Sequence, residues 1–542
     1  MAQESEKLNH EEEIILDVEN YSVGLKKIKK SIVEAVSFSV IKGEIFGVAG
    51  ESGSGKTLLT LSMFGLHNAS HLNTGDVSFD LNKIIQSGVR VVQTKKLALR
   101  IGFILQDPFS SLNPSVKIGK QIGEAIYLAK GKKPKSIENR SLVYKLLSEV
   151  GIPDPENSYE QYPDQFSGGM RQRIVIAIAL SQDPDLLIAD EPTTALDAST
   201  QRKIIDLIID RSRQRGLTVI LVSHNIALLQ ATADRIAVMK SGKVLDIFNP
   251  KTIKLNELNS YTKVLFEGLK NVKKHSRTEQ KQQNVSSLPL IEMKNIQKSF
   301  ASRILQRGGN FSLSNINLEI FPGEVVGFLG ESGSGKSTLA SIITTLSIPN
   351  SGSYSYKGQN VFSFKKSEIK QFKSDVQMVF QDPYGSLNPR YNIRNAINEA
   401  LLIHKPDLSK PSREERIIQL LTDVGLDGSA MEKFPHEFSG GQRQRIAIAR
   451  AMSVDPEMLV CDEPLSSLDV STQAQILDLF SNLLRRKKIA MIFITHDIKV
   501  AQILCDRVYI LSNGQIVEQG KTQQVLTSPR HNYTSKLIEA VY

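Results

Sequence analysis

Short apolar runs recur along this chain, and each ends at a polar or glycine-rich segment. Residues 45–49 precede a glycine-rich loop, residues 186–189 end at an acidic pair, and residues 218–222 end at Ser-His. Uninterrupted apolar runs of this length are typical of strands buried on both faces of a parallel sheet. Helical patterns follow from Leu58 and over residues 107–165, which predicts an α/β fold.

Two further local patterns complete the prediction for the first part of the chain. Residues 14–48 read as short β-type runs separated by turns, and residues 101–105 read as another strand. The Asn-Thr-Gly-Asp sequence at residues 73–76 has the composition of a turn, and we predict one there.

The glycine-rich loop fits the phosphate-binding pattern G-x-x-x-x-G-K-[S/T] in its strand–loop–helix context. The glycines let successive backbone N–H groups point inward at phosphate oxygens, the lysine reaches the β/γ-phosphates, and the hydroxyl is a Mg²⁺ ligand. The pattern occurs twice. The first phosphate loop is Gly50, Glu51, Ser52, Gly53, Ser54, Gly55, Lys56 and Thr57; the second is Gly330, Glu331, Ser332, Gly333, Ser334, Gly335, Lys336 and Ser337, followed by Thr338.

Other elements repeat in the same order at a period of about 270 residues, which indicates duplication of a whole domain. We predict a disordered tail at 1–12, domains at 13–270 and 288–542, and a polar linker at 271–287. The repeated residues are Gln106 and Gln381, Asp190 and Asp462, Glu191 and Glu463, and His224 and His496.

The chemistry of these repeated residues suits a nucleotide site. The strand-end aspartates Asp190 and Asp462 suit Mg²⁺, and the glutamates that follow them suit polarisation of an attacking water. A single acid at a strand end is more often a cap or turn residue than a metal ligand, and a single histidine is more often a hydrogen-bonded polar group than a ligand contact. Here both recur in the two halves of the chain, which favours a nucleotide-binding site. Gln106 and Gln381 would touch Mg²⁺ or the water.

A second candidate anion-binding segment, an anion cradle, precedes a helix in each half. Its hydroxyl can donate to an anion, and its two glycines let the backbone approach that anion closely. One phosphate loop does not need a second cradle, so two copies suggest that each cradle closes over the nucleotide of the other half. The cradles are Ser167, Gly168 and Gly169, and Ser439, Gly440 and Gly441.

Composition narrows the class of protein. No apolar run approaches the roughly 20 residues needed to span a bilayer, and the N-terminus has no signal-peptide core. Two cysteines, Cys461 and Cys505, exclude a disulfide framework and suit small buried apolar positions in a protein of the reducing cytosol. The formal net charge of +10 comes from scattered lysines without an aromatic-interleaved basic strip, so we expect no nucleic-acid partner.

Together these motifs resemble the ATP-binding cassette ATPases over nearly the whole chain, twice. The resemblance implies tandem P-loop NTPase domains with RecA-like cores, each with an antiparallel β subdomain and a helical subdomain near residues 107–180 and 382–452. It also implies a head-to-tail sandwich with two ATP molecules, and it assigns the D-loop to Asp197 and Asp469. Ser167–Met170 and Ser439–Gln442 match the signature, and the acidic pairs match the Walker B aspartate and catalytic base.

A finer resemblance is to the importer ATPases for peptides, opines and nickel, through residues 106–114 and 381–389 (Q-D-P-x-x-S-L-N-P) and the Tyr-Thr pairs at 261–262 and 533–534. Some unfused relatives carry a C-terminal cysteine cluster for iron–sulfur; no cysteine follows Cys505, so we expect no cluster. The resemblance implies an ATPase at the cytoplasmic face of the inner membrane, which drives import through two transmembrane permeases. An extracytoplasmic solute-binding protein would deliver the solute to these permeases. The alternatives are a twin-cassette protein acting on ribosomes or nucleic acid, and an exporter ATPase.

The two halves depart from each other in three places. Phe300 lies where the family stacks an aromatic ring on adenine, whereas Leu25 matches it in the first half, with Tyr21 nearby. Met170 replaces the usual glutamine of the signature, and Asn225 follows the first histidine where Asp497 follows the second. We therefore predict two competent sites of unequal affinity.

Overall fold

A computed structural model describes most of the chain, which divides into two compact units, the first ending at Glu267. The predicted tail and linker lie outside the described part of the chain, and the predicted domain boundaries stay predictions. The described residues are 13–26, 31–51, 53–67, 71–92, 97, 99–105, 107, 111–134, 136–193, 198–267, 288–299, 312–466, 468–486 and 488–540.

The first unit contains an antiparallel sheet with the strand order β2-β1-β4-β5-β6. Its strands are β1 (Ile14–Leu25), β2 (Ser31–Ile41), β4 (His71–Phe79), β5 (Asn82–Gln86) and β6 (Val89–Arg90). The predicted turn at 73–76 is wrong, because these residues lie inside β4. Gly75 has φ +84°, and a Cβ there would lie 2.4 Å from the Asn20 carbonyl oxygen, so this glycine permits the register shift between β1 and β4.

The second sheet of the first unit carries the phosphate loop. Its order is β11-β10-β3-β9-β8-β7, parallel from β10 to β7 with β11 antiparallel at the edge. The strands are β3 (Ile45–Gly50), β7 (Ile101–Ile104), β8 (Leu186–Asp190), β9 (Thr218–Ser223), β10 (Arg235–Lys240) and β11 (Lys243–Phe248).

This mixed sheet is buried on both faces. Along β8, Leu187 and Ala189 join the core on the helical side, and Leu186 and Ile188 join the core beneath the antiparallel sheet. Such two-sided burial is the physical reason for uninterrupted apolar runs. The helices of the first unit are Lys56–Ser62, Ile118–Lys130, Ile137–Glu149, Pro155–Tyr159, Gly168–Ser181, Ala198–Arg215, Ile226–Thr232 and Ser260–Glu267, with 3₁₀ turns at Pro163–Gln165 and Leu255–Glu257.

The second unit repeats this arrangement. An antiparallel sheet has the order β13-β12-β15-β16, from β12 (Ile291–Ser299), β13 (Ser312–Ile320), β15 (Ser351–Tyr356) and β16 (Gln359–Asn360). A mixed sheet has the order β17-β18-β19-β14-β20-β21, from β14 (Val325–Leu329), β17 (Val376–Val379), β18 (Met458–Asp462), β19 (Ala490–Ile494), β20 (Arg507–Ser512) and β21 (Gln515–Lys521). Only β21 runs antiparallel in that mixed sheet.

The described part of the second unit also contains helices between and after these strands. They are Lys336–Ile343, Lys366–Asp375, Ile393–His404, Lys410–Asp423, Gly440–Met452, Val470–Arg486, Ile498–Leu504, Thr522–Thr527 and Asn532–Glu539, with 3₁₀ turns at Val361–Ser363, Gly428–Glu432 and Pro435–Glu437. Each unit therefore has a mixed α/β core, an antiparallel β subdomain and a helical subdomain, which confirms the predicted fold class.

Two side-chain predictions have clear outcomes in the packing. Cys461 and Cys505 are buried apolar positions, as expected. Tyr21 is fully buried in the core beneath the antiparallel sheet, so its ring does not take the place of an adenine-stacking aromatic in the first unit. Within the described ranges, no helix combines the length and apolar character that crossing a membrane requires.

Candidate nucleotide-binding sites

The predicted site residues of the first unit meet at one edge of the mixed sheet. Strand β9 lies between β3 and β8, and its register pairs Ala49 with Ser223 and Asp190 with Val222. All three strands are parallel, so their carboxyl ends lie together. This places the phosphate loop, the acidic pair and His224 at the same edge, the usual place for ligands in such folds.

The phosphate loops need glycine where the backbone turns. Gly50 has φ +152°, and a Cβ on it would lie 2.4 Å from the Met239 carbonyl oxygen; Gly330 has the same φ, with 2.2 Å to the Leu511 carbonyl oxygen. The loop therefore sits directly on the end of the neighbouring strand. Each loop leads into a helix that begins at its lysine, so the N-terminal N–H groups of that helix face the loop.

The loop lysines are buried and held by the loop itself. Lys56 Nζ donates to the carbonyl oxygens of Gly50 and Glu51, both at 2.8 Å, and Lys336 Nζ makes the matching bonds to Gly330 and Glu331 at 2.8 Å. The Ser54 hydroxyl is buried without a hydrogen-bond partner among the described residues. A buried ammonium, a buried hydroxyl and converging N–H groups suit a polyphosphate.

Asp190 and Asp462 end the strands β8 and β18 with buried carboxylates. Burial raises the pKa of both carboxyl groups above the ordinary aspartate value. Neither carboxylate oxygen of Asp190 has a partner at full hydrogen-bond geometry among the described residues, although the nearby Thr57 hydroxyl opposes the rise in its pKa, and Asp462 Oδ1 accepts a 3.1 Å hydrogen bond from the Ser337 hydroxyl. Orphaned carboxylate oxygens beside a loop hydroxyl fit a hard divalent cation.

The glutamates that follow these aspartates have an unusual backbone. Glu191 has φ +47° and Glu463 has φ +42°, and their N–H groups donate to Val222 and Ile494 carbonyl oxygens at 2.9 and 3.1 Å. Non-glycine residues seldom adopt this left-handed conformation, and it concentrates at functional sites. The bend turns each glutamate side chain out of the strand end.

Each glutamate is paired with the histidine that follows the adjacent strand. Glu191 Oε1 lies 3.1 Å from His224 Nδ1, and Glu463 Oε2 lies 3.5 Å from His496 Nδ1. Burial alone would raise the pKa of Glu463 and lower that of His496. The hydrogen bond and opposite charge outweigh it, so the pKa of Glu463 is lowered and that of His496 is raised.

Gln381 joins this cluster in the second unit, since its Nε2 donates to Glu463 Oε2 at 3.2 Å. Its counterpart Gln106 lies outside the described residues, as do Ser52, Asp197 and Phe300. The structure therefore brings together loop, aspartate, glutamate, glutamine and histidine in the second unit, and the same set without the glutamine in the first.

The Ser-Gly-Gly segments begin helices and cap them. Ser167 Oγ accepts from Met170 N–H and Ser439 Oγ from Gln442 N–H, both at 3.4 Å. In the second unit Gln442 Oε1 also accepts from Ser439 N–H at 3.0 Å, completing a reciprocal capping box that Met170 cannot form. Among the described residues, no hydrogen bond joins either segment to the phosphate loop of its own unit.

Asp469 also acts as a helix cap, because its carboxylate accepts from Thr472 N–H at 2.9 Å and from the Ser471 and Thr472 hydroxyls.

Sequence reasoning missed a different contact. The Tyr261 and Tyr533 hydroxyls accept hydrogen bonds from the phosphate-loop N–H groups of Glu51 and Glu331, at 3.4 and 2.9 Å. The recurring Tyr-Thr pair was the only signal of it.

Strand, phosphate loop, helix and strand-end carboxylates at one sheet edge define a P-loop nucleotide-binding protein, twice in one chain. The family profile described as "ABC transporter" matches residues 33–194 and 313–466. The chain belongs to this family, as a tandem pair of ATP-binding cassettes, and it is an ATPase that binds ATP.

Full-length relatives agree with this assignment. The chain is 36% identical over 516 residues to the "Peptidoglycan transport ATP-binding protein YejF" of Agrobacterium fabrum, covering 94% of this chain and 93% of that protein. It is 36% identical to the "Uncharacterized ABC transporter ATP-binding protein YejF" of Escherichia coli, covering 97% and 99%. It is 35% identical to the "Glutathione import ATP-binding protein GsiA" of Pectobacterium atrosepticum, covering 98% and 90%.

A solved structure of single-cassette length is also similar. The dimeric post-hydrolysis state of the ATP-binding cassette MJ0796 with ADP and Pi has a TM-score of 0.39 and 28% identity, and the match covers 43% of this chain and 98% of that chain.

Proposed function

We propose that this protein powers the import of peptides or peptide-like solutes through separate transmembrane permeases. The observation that carries the proposal is similarity over almost the whole length to proteins named for peptidoglycan transport and glutathione import, both of peptidic chemistry. The two Q-D-P-x-x-S-L-N-P segments, at 106–114 and 381–389, support the same importer group. None of the relatives named above supports action on ribosomes or nucleic acid.

The partners in this proposal are two permease subunits and an extracytoplasmic solute-binding protein. The ATPase would then lie at the cytoplasmic face of the inner membrane, held there by the permeases. In this proposal the permeases form the path for the solute. The substrate within the peptidic class is set by those partners, since this chain supplies the energy.

For the nucleotide, we propose roles by geometry. Lys56 and Lys336 contact the β- and γ-phosphates, exchanging carbonyl partners for phosphate oxygens. Asp190 with Thr57, and Asp462 with Ser337, would hold Mg²⁺, which would supply positive charge against the charge that develops on the phosphates.

Glu191 and Glu463 are the proposed general bases for the attacking water. In the second unit, His496 keeps Glu463 ionised at neutral pH by lowering its pKa, and Gln381 orients the same carboxylate. The phosphate-loop lysine Lys336 also lowers the pKa of Glu463 through its charge, which supports a carboxylate close to the loop. His224 and His496 are proposed to contact the γ-phosphate through the ring nitrogen that does not face the glutamate.

The test is co-purification of the Glu191→Gln/Glu463→Gln variant, trapped with ATP, from gently solubilised native membranes. Two polytopic membrane proteins recovered with it, and lost in a Lys56→Ala/Lys336→Ala control, would support the proposal. Recovery of ribosomal proteins or nucleic acid without permeases would overturn it.

A further inference from the structure

One peptide unit in each phosphate loop is held from both sides. In the second unit, the Gly330 carbonyl oxygen accepts from Lys336 Nζ at 2.8 Å, while the N–H of Glu331, in the same peptide plane, donates to the Tyr533 hydroxyl at 2.9 Å. A peptide is planar, so fixing its N–H also fixes the direction of its carbonyl. The tyrosine therefore sets the orientation of the group that holds the lysine ammonium.

The first unit repeats the arrangement with a looser contact. Gly50 accepts from Lys56 Nζ at 2.8 Å, and Glu51 N–H donates to the Tyr261 hydroxyl at 3.4 Å. The Lys240 ammonium lies 4.3 Å from the centre of the Tyr261 ring, which fixes the ring against β10. Tyrosine and loop are separated by 210 residues in the first unit and 202 in the second, so this is a tertiary contact made twice.

Each tyrosine is placed by a carboxylate on the antiparallel edge strand of the mixed sheet. In the first unit, Asp246 on β11 accepts from Asn259 N–H and from the Thr262 hydroxyl, beside Tyr261. This ties the start of the helix Ser260–Glu267 to the sheet. The Tyr261 hydroxyl thus contacts the phosphate loop from a helix whose start is held in place by hydrogen bonds to the sheet.

In the second unit, Glu518 on β21 takes the place of that aspartate. It accepts from Arg530 N–H at 2.8 Å and from His531 N–H at 3.1 Å, at the start of the helix Asn532–Glu539. Burial would raise the pKa of Glu518, but the Thr534 hydroxyl and these two N–H groups outweigh it, so the pKa is lowered. The anchor residues differ in length between the units, yet the tyrosine reaches the same loop peptide in both.

We propose that Tyr261 and Tyr533 are positioning residues, which orient the loop peptide and through it the ammonium groups of Lys56 and Lys336 for the phosphates. The proposal rests on the nucleotide sites proposed above, and it adds the helices Ser260–Glu267 and Asn532–Glu539 to the elements that shape those sites. A tyrosine that only anchors its helix would contribute to stability and leave nucleotide affinity unchanged. The two roles predict different kinetics.

The test is the Tyr261→Phe/Tyr533→Phe double variant of the full chain, which keeps both rings and removes both acceptors. Loss of one modest hydrogen bond per site is expected to raise the KM for ATP about fivefold, with kcat within about twofold of the parent. A merely structural role would lower the folded fraction, and hence apparent kcat, with KM unchanged. That result, or an unchanged KM with unchanged kcat, would overturn the proposal.

Two controls separate the possible failures. Tyr354→Phe removes another buried hydroxyl of the second unit, which donates to the Ile343 carbonyl oxygen at 2.7 Å away from the loop, and it should lower the melting temperature without changing KM. Lys56→Ala/Lys336→Ala should abolish binding of a fluorescent ATP analogue. Retained binding in that variant would overturn the proposed sites and this inference with them, whereas lost binding with a normal KM in the tyrosine variant overturns this inference alone.

Discussion

Replacing Asp190 by asparagine should stabilise the nucleotide-free protein and remove Mg²⁺-dependent turnover at the first site. Both carboxylate oxygens of Asp190 are buried without a partner at full hydrogen-bond geometry among the described residues, and burial raises its pKa although the Thr57 hydroxyl opposes the shift. An unsatisfied buried polar group costs about 1–3 kcal/mol, and more when it is charged. A neutral amide of the same shape still leaves polar atoms without partners but removes the cost of burying a charge. We therefore expect the free energy of unfolding to rise by about 1 kcal/mol.

For a unit of this size, a gain of about 1 kcal/mol corresponds to a rise of roughly 2–4 °C in melting temperature. Asp462→Asn should gain less, because Asp462 already accepts a hydrogen bond from Ser337. Asp206→Asn is the control, since Asp206 is half exposed and paired with Arg202, and its loss should leave the transition within about 1 °C.

The assay is calorimetry of each variant with EDTA and without nucleotide, followed by ATPase measurement with Mg²⁺. The Asp190→Asn/Asp462→Asn double variant should lose about 100-fold or more in kcat, since it removes the carboxylates that would hold the charge-stabilising Mg²⁺ against the reacting phosphate. A lower melting temperature for Asp190→Asn, or near-normal turnover of the double variant, would refute the reasoning from buried, unpartnered carboxylates.

Three further predictions concern the catalytic glutamates, the helix caps and the pairing of Glu463 with His496. Glu191→Gln and Glu463→Gln should differ in residual ATPase rate and ATP affinity; variants that match in both would remove the claim of unequal sites. Met170→Gln should complete the capping box of the first unit, add about 1 kcal/mol to its free energy of unfolding and raise its melting temperature by roughly 2–4 °C. Gln442→Met should lower the melting temperature of the second unit by the same amount. Calorimetry checks both variants, and an unchanged melting temperature in either would show that the reciprocal hydrogen bond does not contribute to stability. The ion pair of Glu463 and His496 should contribute fully between about pH 4.5 and pH 6.5, the ordinary values of the two groups, and fade as pH rises through the raised pKa of His496. His496→Gln should therefore cost more melting temperature at pH 6 than at pH 9, and equal losses would contradict the pairing.

Much of the fold and site was predictable because the chemistry is local in sequence. The phosphate loop is eight consecutive residues, and an apolar run ending in Asp-Glu reports both a buried strand and its polar end. Parallel strands place their carboxyl ends together, so the grouping of Asp190, Glu191 and His224 near the loop followed from strand direction alone. Duplication then made chance matches improbable.

The failures arose where tertiary contacts override local preference. Gly75 looked like a turn residue, but β1 and β4 pair across it, and its positive φ serves a register shift within a strand. Tyr21 is the aromatic residue near Leu25 in the sequence, but its ring is fully buried in the core, so proximity along the chain did not report its environment. The tyrosine contacts to the loops join residues more than 200 positions apart, and no local pattern reports such a pairing.

The position of β3 in its sheet has a consequence for synthesis of the chain. This apolar strand is flanked by β9 and β10, whose residues 218–223 and 235–240 follow it by about 170–190 positions. At about 5–20 residues per second, the ribosome takes roughly 10–40 s to supply those neighbours. Until then both edges of β3 lack their native partners. The nascent chain therefore carries an aggregation-prone strand next to the loop that later binds ATP.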